Sequence, residues 1–282
     1  MRMPGQVFQR WRLLVKVAPV VLVVALVKLV LDDLNWEPIP LSPLYTGLLA
    51  ATVFLLGFLL AGTLADYKES EKLPGDLAAS METIADECLI LYRDKQARPA
   101  IDCLRHIRGL VGSLLGWFYG RQATGSVFTG IRGFNSFFLD FEPLTQPNFI
   151  VRLKQEQSAI RRMVIRIETI RDTSFVGAGY AIAELASLLL VLGLLLTEIS
   201  PDAAAVFIVS IITFLLVYVI FLIKDLDDPF EFDLNGREAG AAEVSLKPVE
   251  DLGQRLDQEI EVIGASPVEG TPELTARTET TT

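Results

Sequence analysis

LYTGLLAATVFLLGFLLAGTLA, residues 44–65, is the stretch on which the reading of the whole chain turns. About 22 uncharged residues, rising 1.5 Å each, make one helix long enough to cross a ~30 Å hydrocarbon core. A polar run, DYKESEKLPGDL (66–77), ends it. Phe54, Phe58 and Gly62 recur every four residues, which aligns two aromatic rings and one bare backbone position along a helix face. Several copies of such a helix around an axis would stack the rings into a narrow apolar constriction. Constrictions of that kind pass or stop ions by wetting and dewetting.

Along the whole chain of 282 residues, charges are kept apart from the apolar runs. A soluble domain would interleave the two, so segregation at 51% hydrophobic content indicates an integral membrane protein with a sizeable polar part. A net charge of −10 argues against a nucleic-acid partner and against a polybasic lipid anchor. Cys88 and Cys103 form no CxxC and have no histidine pair nearby, so they read as free thiols. His106 is the only histidine and sits between Arg105 and Ile107, with Arg108 beyond; a solvated helix surface is its expected place. No metal site and no catalytic set is expected, and the chain does not read as an enzyme.

Working outward, Leu13–Leu31 is a first spanning helix, carrying Lys16 and Lys28 near its two ends. A signal peptide is the competing reading, but the run is long and acids follow it rather than a small-residue cleavage site. Lys28 is expected to snorkel to the interface, and Pro19 to bend the helix. Residues 32–43 are a short acidic, proline-rich loop, after which 44–65 runs back. Residues 66–174 read as an inserted cytosolic helical domain. Its helices are expected to begin after the break at Pro74-Gly75-Asp76, at Pro99 and near Asn148; the glycine- and aromatic-rich 116–141 region is expected to be a shorter, less regular helix or a loop, and no strand is expected. The stripe Leu77, Met81, Ile84, Ala85, Cys88, Leu91 follows the helical period, as do Leu104, Ile107, Leu114 and then Leu153, Ile160, Val164, Ile167.

A second hairpin, 175–223, is read as spans 175–197 and 203–223 joined by Glu198–Asp202. Lys and Arg concentrate in the N-terminus and in 66–174 and are absent from both short loops, so both termini and the insert are expected on the cytoplasmic side of a cell membrane. Residues 224–263 make a cytosolic C-terminal segment whose Val249, Leu252, Leu256 and Ile260 predict a docked amphipathic helix; 264–282 reads as a disordered tail. The fold class is therefore an all-α membrane protein, with four transmembrane helices and a cytosolic helical domain between the second and third; its assembly as a homo-oligomer is what the resemblance described next implies.

FLLGF (54–58) followed by ESEKLPGDL (69–77) resembles the second transmembrane helix of the bestrophins and the turn after it. RIETIRDTS (166–174), leading to Tyr180, looks like the entry to the third helix of bacterial bestrophins, and Asp228-Pro229-Phe230 is similar to their Asn-Pro-Phe-Gly element. The resemblance runs from about residue 8 to about residue 262. It implies a homopentameric ion channel with a neck lined by the second helices and a second constriction in the cytosolic part. Carried over by position, it gives Phe54 and Phe58 to the neck, with Ala50 one turn earlier where the family usually has a larger aliphatic residue, and Phe149 to the cytosolic aperture. Glu231 departs from the family's glycine. Asp225, Asp227, Asp228, Glu231 and Asp233 are candidate ion-binding or regulatory acids, but they lack EF-hand spacing. No cofactor is expected, calcium at these acids being the alternative. The expected partners are other copies of the chain, membrane lipids and small ions, with chloride or another small anion favoured over cations.

Glu184 lies about 14 Å into the third span, counted from Phe175 at 1.5 Å per residue. An acid at that depth costs ~2.5–3.5 kcal/mol, so it should face the bundle or water, either bordering the ion path or packed as a neutral carboxyl. The basic residues of 148–171 read either as an anion-concentrating face or as a solvated, salt-bridged one. The second function class is a membrane-anchored scaffold or sensor whose cytosolic helices bind a partner; it predicts no continuous path and no effect of changes at Phe54 and Phe58.

Overall fold

The computed structural model describes residues 4–34, 36–40, 42–172, 177–230, 232 and 242–265. Among them the chain forms nine helices and one pair of two-residue strands. The expectations for Glu231, Asp233 and the tail beyond Ala265 lie outside the described residues.

Four helices build an apolar body. α1 spans Pro4–Asp33 and carries Pro19 inside it without ending. α2 spans Pro43–Ser70, with a proline in its first turn where the missing N–H is not needed. α7 spans Gly177–Leu195 and α8 spans Asp202–Asp227. α1 lies along α8, and α2 packs on α7 and α8. Leu56 and Leu59 of α2 meet Leu190 and Leu194 of α7 and Val209 and Leu216 of α8 in one buried cluster. α1, α2 and α8 are each long and apolar enough to cross a membrane, while α7 is a shorter apolar helix. The outward faces of α1, α7 and α8 are apolar too, with Leu22, Leu26, Leu188, Leu192, Phe207 and Ile211 exposed. A contiguous apolar exterior of this kind needs lipid or another protein surface against it. This is a membrane protein.

The two short connections meet at one end of this body. β1 (Ile39–Pro40) pairs in parallel with β2 (Thr197–Glu198), and the Ile39 N–H donates to the Leu196 carbonyl at 3.2 Å. No strand was expected, and two residues per strand are too few to leave a period in the sequence. At this turn end Lys28 is fully buried, in an ion pair with Asp32 at 3.0 Å and another with Glu37, and it donates to the Thr197 carbonyl at 2.9 Å. The expected snorkelling is therefore wrong: the ammonium is met inside the protein, by acids of its own helix and the following loop.

The polar body holds α3 (Leu73–Lys95), α4 (Arg98–Phe118), α5 (Thr124–Phe141), α6 (Pro147–Asp172) and α9 (Lys247–Ala265). α3 begins before Pro74, not after Asp76, because a first-turn proline is tolerated and α2 leads almost directly into it. The predicted stripes close into one core: Met81, Ile84, Cys88, Leu104, Ile107, Leu114, Ile160 and Val164 are all fully buried. Each aliphatic or methionine side chain among them contributes ~1.5–3 kcal/mol relative to exposure. α9 docks on α4 and α3 through Val249, Leu252 and Leu256, as its period predicts.

In the 116–141 region α5 is the shorter helix that is one of the two expectations, but it is regular over all 18 residues. Its Val127, Ile131, Phe134, Phe138 and Phe141 face the core, and its glycines allow a close crossing of α4. A Cβ at Gly133 would stand 2.6 Å from the His106 ring, and one at Gly130 would stand 2.9 Å from Leu110. His106 is accordingly half-buried rather than solvated, with Nε2 at 2.8 Å from the Gly130 carbonyl and Phe134 edge-on at 5.1 Å. Cys88 and Cys103 are free and buried, and the contact between them with their burial pushes the Cys103 thiol well above its ordinary range.

Candidate functional site

α2 has two unlike faces. Thr52, Leu56, Leu59 and Thr63 are buried against the neighbouring helices, the threonine hydroxyls satisfied by their own helix at Leu48 and Leu59. On the opposite face Ala50 is exposed, Phe54 is 77% exposed and Phe58 is 66% exposed. A step of four residues turns an α-helix by about 40° beyond a full turn, so the stripe drifts. Gly62, next in that stripe, is already half-buried. The sequence stripe is thus real over Ala50, Phe54 and Phe58 and rotates toward the protein after them.

Phe149 belongs to the other body, in the first turn of α6, and is 36% exposed. One copy of the chain does not gather it with Phe54 and Phe58 into a single cavity. Glu184 points out of the bundle and is half-exposed, with Oε1 at 2.5 Å from Lys224 Nζ. Lys224 lies in the last turn of α8. Glu184 is therefore level with the polar end of α8 and its charge has a partner; it is not a lone acid packed among helices.

Asp225 and Asp227 are half-buried and Asp228 is exposed. Asp228 borders a cavity of about 410 Å³ shared with Glu168, Arg171, Asp172 and Trp117. Among the described residues no group of three or more His, Cys, Asp or Glu is placed to hold a metal ion. The neighbouring Pro229-Phe230 does structural work that the sequence reading missed. Phe230 is buried in the polar core, 5.8 Å from the Phe118 ring, and the Pro229 carbonyl accepts from Val244 N–H at 2.9 Å.

Much of the basic face of α6 is engaged. Arg166 makes a bidentate contact with Glu69 at 2.9 and 2.7 Å, joining the end of α2 to α6; this holds the Glu69 carboxyl below its ordinary value. Arg152 reaches Glu87 at 3.4 Å, and the Arg171 guanidinium lies 5.4 Å from the Trp117 ring centre. Lys154 contacts Asn135 and lies over the Phe138 ring. These contacts favour the salt-bridged account of the face over a free anion-concentrating one.

The arrangement of an apolar four-helix body carrying a polar bundle between its second and third helices matches solved structures. Two point variants of a bacterial bestrophin homolog from Klebsiella pneumoniae superpose with TM-scores of 0.74 and 0.75, at 13% and 12% identity, each covering 87% of this chain and 99% of that one. The chain has the bestrophin-like fold. Another structure of a bestrophin homolog from the same organism gives a TM-score of 0.68 at 14% identity, over 86% of this chain and 97% of the other. No protein-family model matches the sequence, and no curated protein does. The likeness is one of fold, legible in the bestrophin-like architecture and not in sequence identity.

Proposed function

We propose that this chain is the subunit of a bestrophin-like ion channel, a homo-oligomer of five copies whose α2 helices surround a pore. The observation that carries this reading is the pair of phenylalanines, Phe54 and Phe58, presented one turn apart on the exposed face of a membrane-length helix in a bestrophin-like fold. In the assembly they form the hydrophobic neck, Ala50 leaves its far end wider, and Phe149 lines a second constriction in the polar body. Ion flow is passive and needs no cofactor. Small anions such as chloride are the favoured cargo, with cations as the alternative. The turn end faces away from the cytoplasm, and both termini lie with the polar body inside.

The test is ion flux through the purified oligomer in liposomes under sodium and chloride gradients, wild type beside Phe54→Ala/Phe58→Ala. Trimming the rings is expected to raise flux, and the reversal potential names the ion. Absence of flux from both proteins in a verified oligomer would overturn the channel in favour of a membrane-anchored scaffold or sensor.

A further inference from the structure

The turn end holds a charge imbalance that ion conduction does not call on. Lys28 is fully buried, and two carboxylates close on it: Asp32 at 3.0 Å and Glu37, which also faces Asp32. The Asp32 side chain is only 6% exposed, and both its oxygens are buried with no hydrogen-bond donor directed at them, the Lys28 contact being an ion pair alone. One ammonium cannot neutralise two carboxylates; Glu37 is only half-buried, so the cost falls on Asp32, whose buried charge has no donor of its own. Nothing nearby redresses the balance. Residues 32–43 and 196–203 contain no Lys or Arg. The remaining charged groups at this end are Asp33 on α1, Glu198 on β2 and Asp202 on α8, all acidic and exposed. From α2 the nearest titratable group is the Tyr45 phenol, which donates to the Leu190 carbonyl. α7 supplies carbonyls, with the Leu195 oxygen 3.4 Å from Lys28 Nζ. A metal cation is a poor fit, because the ammonium already stands between the acids.

We propose that Lys28, Asp32 and Glu37 form a proton-binding site, in which the two carboxylates share one proton beside the ammonium, and that its release with rising pH loosens the clasp between the two turns. A shared proton supplies the missing positive charge and gives the orphaned Asp32 oxygens a donor; its loss leaves two carboxylates and a free proton. The clasp is the β1–β2 pair, since Lys28 binds Glu37 on one side of it and the Thr197 carbonyl on the other. In keeping with this, Asp32 chiefly, with burial, pushes the Glu37 carboxyl above its ordinary value of 4.5 against the opposing pull of Lys28. A carboxyl raised in the clasped state favours that state fully below pH 4.5, and the contribution fades as pH rises through the raised value.

Infrared difference spectroscopy of the full-length protein in lipid nanodiscs, titrated with pH, reads the proton directly. Wild type is expected to keep a protonated-carboxyl band above pH 4.5 that disappears as pH rises, and Glu37→Gln and Asp32→Asn are each expected to abolish it. Absence of that band in wild type overturns the proposal, whether or not the variants fold; so does its persistence in both variants. Amide exchange at Ile39 reads the clasp. Protection there is expected to fall above the band's midpoint in wild type and to lose this dependence in Glu37→Gln. Equal protection on both sides of the midpoint would leave a proton site with no clasp to control, and the second half of the proposal fails.

Discussion

The polar body and the apolar body are built from helices of similar length, yet they solve opposite problems. In the polar body apolar stripes converge, so Met81, Leu104, Ile107 and Phe134 vanish inside a single copy. In the apolar body the helices are apolar on both sides; Leu56 and Leu59 are buried while Phe54 and Phe58 on the same helix stand exposed. The first body buries its core within one copy. The second presents apolar surface for lipid or another protein surface to cover, so its outward side chains are placed for what surrounds the chain rather than for its own core.

The contrast can be broken, starting with the largest effect. Phe134→Ala, deep in the polar core, is expected to cost about 3–5 kcal/mol in denaturant or thermal unfolding; a loss below about 1 kcal/mol would show that the core is looser than its burial implies. Gly133→Ala forces a Cβ against the His106 ring at 2.6 Å, and about 1–3 kcal/mol should be lost, with a changed near-UV signal from the α4–α5 crossing. Glu69→Gln cuts the exposed bridge from α2 to α6 and should cost about 0.2–1 kcal/mol. Because Arg166 holds the Glu69 carboxyl below its ordinary 4.5, that contribution is present above pH 4.5 and fades as pH falls through the depressed value. Melts of wild type and Glu69→Gln, followed downward from about pH 7, should therefore converge as the pH falls through that depressed value; a gap that stays constant would assign the difference to something other than the ion pair. Smallest of all, Phe54→Ala and Phe58→Ala should leave monomer stability within about 0.5 kcal/mol, while oligomer flux changes. A large stability loss there would mean that the rings pack within the chain.

The sequence carried what periodicity can carry. The stripes of α3, α4, α6 and α9 were legible because amphipathic helices repeat every 3.6 residues, and the apolar spans because length and lack of charge suffice. The regularity of α5 was hidden because its glycines lower helix propensity, while their use, a close crossing over His106 and Leu110, exists only in three dimensions. Lys28 was misread for a related reason: snorkelling is the default for a lysine near the end of a span, and the Thr197 carbonyl that captures it lies far along the chain. The stripe of Ala50, Phe54 and Phe58 was legible as a face. That it is the uncovered one follows only from seeing α7 and α8 on the other side.

Phe230 and α9 have a consequence for how the protein is made. The polar bundle draws its core from residues 73–167 and also from Phe230, Val244, Leu246, Val249, Leu252 and Leu256, which follow the last apolar helix. During synthesis, α3 to α6 emerge well before these residues do. The core of the bundle is therefore complete only once the residues that follow α8 have been made, so the two ends of the core are separated in synthesis by the whole of α7 and α8.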